Sequence, residues 1–129
     1  MNSGTKNPPG LDCFVRIEDG IAVAELAGEL DLARAPALRE QLLGLLRPGS
    51  SRLILDLSQV SFCDASGLAV LVGTGRRARR LGGFQRLAAV PPHVARVLNL
   101  TGLHGHLPVF PTVQAAVGPP ASQASRAAA

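Results

Sequence analysis

Residues 53–73, LILDLSQVSFCDASGLAVLVG, constrain this chain more than any other stretch. LILDL (53–57) is almost continuously apolar, the pattern of a strand covered on both faces. A short loop is expected next, then Asp64-Ala65-Ser66-Gly67-Leu68 and a helix from about Ser66 to Leu81. At 100° per residue Leu68, Leu71, Val72, Gly75 and Ala78 gather on one side of that helix as its core face. A doubly covered strand that feeds an amphipathic helix requires a layered α/β arrangement.

The remaining segments extend the same pattern. LDCFVRIE (11–18) and IAVAELAG (21–28) alternate as strands, with Asp19-Gly20 as a two-residue hairpin turn. Gly28-Glu29-Leu30-Asp31 is expected to leave the sheet. A helix follows over about 35–46, with Pro36 in its first turn and Leu38, Leu42, Leu45 and Leu46 as its buried stripe. Pro48-Gly49-Ser50-Ser51 breaks the chain before the central strand, 52–57. Gly82-Gly83 ends the second helix, 84–90 is a strand, and Pro91-Pro92 opens a helix over 93–100 that Gly102 stops. A short strand at 107–110 and a helix to Val117, capped by Thr112, complete the series. The order β-β-α-β-α-β-α-β-α predicts one α/β domain, a mixed sheet of four to five strands with about four helices. Residues 1–10 read as a flexible leader, 11–117 as the domain and 118–129 as a Pro/Ala-rich tail.

Composition narrows the function. The chain has 129 residues, no Trp or Tyr and four Phe, so its core must be aliphatic. No apolar leader and no long apolar run is visible, which predicts a cytoplasmic protein with no membrane contact. Cys13 and Cys63 lie far apart without metal-ligand spacing; buried free thiols are one reading, a disulfide or redox sensor the other. All nine acidic residues fall between Asp12 and Asp64, while residues 65–129 hold seven arginines and no acid. The basic excess sits mainly in one helix, without interleaved aromatics or a reading motif, and does not predict nucleic-acid binding.

Ser66 is the candidate chemical centre. A serine at a helix start suits an N-cap, and it also suits a phosphate acceptor. Residues alone leave both open. Ala69, Val70, Gly73 and Arg77 share the outward face with Ser66, flanked by Arg76 and Arg80. Two turns of small apolar surface followed by arginines fit either a protein partner or close packing within the domain. Catalytic readings are weaker. A nucleophile elbow needs Gly where Asp64 stands, Gly73-Thr74-Gly75-Arg76 lacks the end of a phosphate loop, and His104-Gly105-His106 has too few companions to hold a metal.

GELD (28–31), the 53–73 block, RLGG (80–83) and VLNLTGL (97–103) together resemble the STAS domain of bacterial anti-sigma factor antagonists, over about residues 12–117. The resemblance implies a mixed α/β fold and a regulatory role without catalysis or cofactor. It implies that the unphosphorylated chain binds an anti-sigma factor that is also a serine kinase of the GHKL type, releasing a sigma factor. The kinase then modifies a serine matching Ser66 and a metal-dependent serine phosphatase restores it. Asp31 and Asp64 match acidic residues near that serine, with the implied role of positioning the hydroxyl. Asp31, Asp64, Gly67, Ala69, Val70, Gly73, Arg76, Arg77 and Arg80 would form the partner-binding surface. Ala65 stands where a second serine is common, and Ala35-Pro36 where a hydroxyl residue is common. Lone STAS proteins also resemble scaffold subunits of lipid ABC transporters or stress-signalling complexes, and STAS domains have been suggested to bind nucleotides.

Overall fold

The computed structural model describes residues 9–118. Apart from Pro9, Gly10 and Gly118, the expected leader and tail lie outside the described residues. The elements run β1 (Leu11–Glu18), β2 (Ile21–Leu30), α1 (Ala35–Leu43), β3 (Arg52–Cys63), α2 (Ala65–Arg80), β4 (Phe84–Ala88), α3 (Pro92–Thr101), β5 (Val109–Phe110) and α4 (Val113–Val117), with a 3-10 turn at Leu103–His106. The predicted order is therefore observed. Strands stand in the sheet as β1-β2-β3-β4-β5, with β1 antiparallel to β2 and every other neighbouring pair parallel. Asp19 and Gly20 both take positive φ, 54° and 76°, which matches the right-handed twist of the hairpin they join.

Leu53, Leu55 and Leu57 of β3 point to the face covered by α1, α2 and α3, where they meet Leu38, Leu42, Leu68, Leu71, Val94 and Leu98. Ile54 points the other way, to a smaller cluster with Ile21, Val23, Ala88 and Ala116 beneath α4. Each fully buried leucine contributes about 1.5–3 kcal/mol, so the larger face carries most of the stability. Inside it lies one polar knot. Thr74 Oγ1 meets Gln85 Oε1 at 2.6 Å and Gln85 Nε2 donates to the Leu71 carbonyl at 2.7 Å, tying α2 to β4. Gly83 is fixed by packing, since a Cβ there would stand 1.9 Å from the Ser51 carbonyl oxygen.

Three local expectations are corrected. Glu29 and Leu30 do not leave the sheet; they pair with Phe62 and Cys63. The loop expected after residue 57 is instead the second half of β3, which the polar residues Ser58, Gln59 and Ser61 concealed. Two bulges accommodate it: Glu25 to Ala27 faces Asp56 to Gln59, and Gly28 to Glu29 faces Val60 to Phe62. Finally, α1 ends at Leu43, and Leu45 and Leu46 reach the core from the turn beyond it.

Candidate functional site at the start of the second helix

The long β2 and β3 end side by side, so GELD and the Asp64 block meet. Asp64 N–H donates to the Leu30 carbonyl at 3.0 Å. The Asp64 carboxylate then divides its work. Oδ1 accepts the Gly67 N–H at 3.1 Å, capping α2, and Oδ2 accepts the Leu32 N–H at 3.3 Å, holding the β2–α1 loop. Gly67 is buried against the same strand end; a Cβ would lie 2.3 Å from the Leu30 oxygen. Glycine is therefore required for α2 to start this close to β2.

GELD has an equally direct geometry. Gly28, at φ 122°, backs onto Gly10, and Glu29 N–H donates to the Gly10 carbonyl at 2.9 Å. Arg34 reaches Asp31 at 2.7 Å, Glu29 at 3.1 Å and the Pro9 carbonyl at 2.6 Å. Partial desolvation pushes the Asp31 carboxyl upward, but the Arg34 hydrogen bonds and positive charge outweigh it and hold the pKa below its ordinary value. With the folded-state pKa lowered, this contribution to stability is present at neutral pH and lost as pH falls through that lowered value. Carboxyl-carbon NMR shifts followed against pH are expected to place the Asp31 midpoint below the ordinary range, and to bring it back in Arg34→Ala. A midpoint indifferent to that substitution would mean that another group depresses Asp31.

Ser66 stands in the first turn of α2, two residues past the cap. The N-cap role belongs to Asp64, which corrects the reading of the serine as the cap of this helix. Ser66 is partly exposed, and its hydroxyl makes no hydrogen bond with the described residues. Neither Asp31 nor Asp64 bonds the hydroxyl; Asp64 places it through the backbone that it clamps. Ala69 and Gly73 are exposed and Val70 half-buried along the same helix, and Arg76, Arg77 and Arg80 are exposed beyond them. Gly67 is the member of the predicted set that faces inward. Among the described residues these three arginines have no ion-pair partner.

The sequence reading missed two apolar side chains at this junction. Leu32 is 71% exposed beside the N–H that Asp64 holds, and Phe62, 49% exposed, precedes Asp64 by two residues. It also missed Arg34, although Arg three residues after Asp at a helix start is a legible pairing signal. Cys63 offers no rival chemistry. Burial, then the adjacent Asp64 charge, pushes its thiol up to about 12, and burial alone raises Cys13 to about 11. Both thiols are free; Cys63 is buried as one of the two sequence readings expected, whereas Cys13 is half-buried. Among the described residues no group of three His, Cys, Asp or Glu could hold a metal, and no helix is long and apolar enough to cross a membrane.

Comparison with known proteins places the fold in a family. The STAS domain profile matches residues 14–116, from within β1 to most of α4. The chain belongs to the STAS domain family. Among its STAS relatives is the anti-sigma-B factor antagonist of Bacillus subtilis, 38% identical over 78 residues, 60% of this chain and 71% of that one. The anti-sigma-F factor antagonist RsfB of Mycobacterium tuberculosis is 29% identical over 110 residues, covering 85% of this chain and 89% of its own. Among solved structures, an anti-sigma factor antagonist from Mycobacterium paratuberculosis superposes with a TM-score of 0.75 at 30% identity, covering 87% of this chain and 96% of that one. This STAS domain thus stands with anti-sigma factor antagonists in both sequence and fold.

Proposed function

We propose that this STAS domain is an anti-sigma factor antagonist whose docking face is switched by phosphorylation of Ser66. In this reading the unmodified chain binds an anti-sigma factor that is a serine kinase of the GHKL type, and a sigma factor is released. The kinase phosphorylates Ser66, the complex separates, and a metal-dependent serine phosphatase resets the chain. The protein is a substrate and a binding module, not a catalyst.

One observation carries the reading: Asp64 performs the capping task, and the Ser66 hydroxyl makes no hydrogen bond with the described residues. A partly exposed serine whose hydroxyl has no partner among the described residues, on the helix that also presents Ala69 and Gly73, is available to a kinase and to a docking protein alike. A phosphate adds about −1.5 to −2 charges. The positive end of α2 favours that charge locally and the Asp64 carboxylate opposes it. On a face fitted against a partner its desolvation decides the outcome.

The test is phosphotransfer. Incubated with its cognate anti-sigma factor kinase and ATP, the chain is expected to gain the mass of one phosphate, mapped to Ser66, and Ser66→Ala to gain none. Ala65 cannot substitute as an acceptor. A kinase that binds the chain tightly yet leaves Ser66 unmodified would defeat the switch.

A further inference from the structure

A cleft of about 450 Å³ opens between α1 and α2, lined by Arg39, Leu43, Leu46, Gly73, Arg77 and Arg80. Arg39 and Leu43 come from α1, Leu46 from the turn beyond it, and Gly73, Arg77 and Arg80 from α2. Three arginines, two leucines and a glycine line it, and no carboxylate does. Arg39, Arg77 and Arg80 are exposed and have no ion-pair partner among the described residues. Gly73 leaves the α2 backbone uncovered in the lining: a Cβ built there would meet nothing within 4 Å, so a chain laid across the cleft can approach that backbone. Arg76 does not line the cleft, so the grouping is more specific than a basic helix end.

We propose that this cleft seats an acidic, leucine-bearing segment of the protein partner that docks beside Ser66. The assignment to that partner rests on the reading above; the chemistry of the cleft does not. Carboxylates on the segment pair with the three arginines, and its apolar side chains cover Leu43 and Leu46. Gly73 belongs both to the outward face that Ser66 shares and to the cleft, so one partner can span both. Each exposed pair contributes little alone, but three converge on one segment, and the sum is sensitive to salt.

The experiment uses the full unmodified chain and needs no kinase. A short helical peptide with Glu and Leu at alternate helical positions is titrated while backbone amide shifts are followed. The same peptide with Gln for Glu and inorganic pyrophosphate serve as comparisons. The Glu peptide is expected to move the Gly73 amide and to bind about tenfold tighter than the Gln peptide. Arg39→Glu combined with Arg77→Glu is expected to abolish the shift, and Arg96→Glu on α3 to leave it in place. Arg39→Gln with Arg77→Gln, checked by its melting curve, guards against a fold defect from charge reversal. Equal binding of Glu and Gln peptides, shifts centred away from Gly73, or pyrophosphate binding as tightly as the Glu peptide would overturn the proposal. Failure here would leave phosphotransfer to Ser66 untouched, and failure of phosphotransfer would leave the cleft result standing.

Discussion

Replacing Ser66 with Asp is expected to weaken binding to the cognate anti-sigma factor at least a hundredfold, while Ser66→Ala binds as tightly as the natural chain. The magnitude follows from placing one unpaired charge on a face that must shed water to dock, a cost of several kcal/mol. The contrast between the two variants matters more than either alone. The Ser66 side chain makes no hydrogen bond with the described residues, so neither change removes a hydrogen bond among them. Both variants are therefore expected to melt within about 0.5 kcal/mol of the natural protein, as surface substitutions away from packed features do. Titration calorimetry or biolayer binding measures the first quantity and thermal unfolding the second. Tight binding by Ser66→Asp would show that charge at this position does not govern docking.

Gly67→Ala carries the second large effect, and it falls on stability. The added methyl would meet the Leu30 carbonyl oxygen at 2.3 Å and the Leu30 Cβ at 2.7 Å. Backbone cannot swing aside as a flexible side chain can, so α2 must move away from the end of β2. That motion strains the Asp64 bonds to Gly67 and Leu32 at once. A loss of about 3 kcal/mol is expected, near the upper end for overpacking, or roughly 10 °C in melting temperature for a domain of this size. Gly73→Ala is the matched control on the same helix. Its Cβ meets nothing, and alanine's better helix propensity favours a gain of up to about 1 kcal/mol. Equal melting temperatures for the two alanine variants would show that the close approach at Gly67 is not what fixes the helix start.

Much of this was legible in the sequence, for physical reasons. Strong periodicity in the Leu68–Ala78 face and the continuous apolar run at 53–57 announced α2 and the centre of β3, because burial dictates both patterns. Asp19-Gly20, Gly102 and Thr112 announced turns and caps, because few residues tolerate those backbone shapes or can accept those N–H groups. What stayed hidden was the continuation of β3 through Ser58–Cys63. Its bulges break the two-residue alternation, so the polar residues there read as a loop. The cap was misplaced for a related reason. Aspartate and serine are comparable N-caps, and only the approach of β2 shows that Asp64 has both its oxygens occupied. Arg39 lay beyond any local pattern, since it joins Arg77 and Arg80 only when α1 packs beside α2.

The division between Asp64 and Ser66 has an evolutionary consequence. Because the carboxylate bears the helix start, a single-nucleotide change at position 66 can remove or restore the hydroxyl without touching the cap. On the proposed reading, a lineage can thus lose the phosphate acceptor while the Asp64 cap persists, and can later regain it. Asp64 and Gly67 have no such freedom: substitutions there damage the framework before any signal is lost. Within this short stretch, one residue is open to innovation while its neighbours are held fixed by the architecture they support.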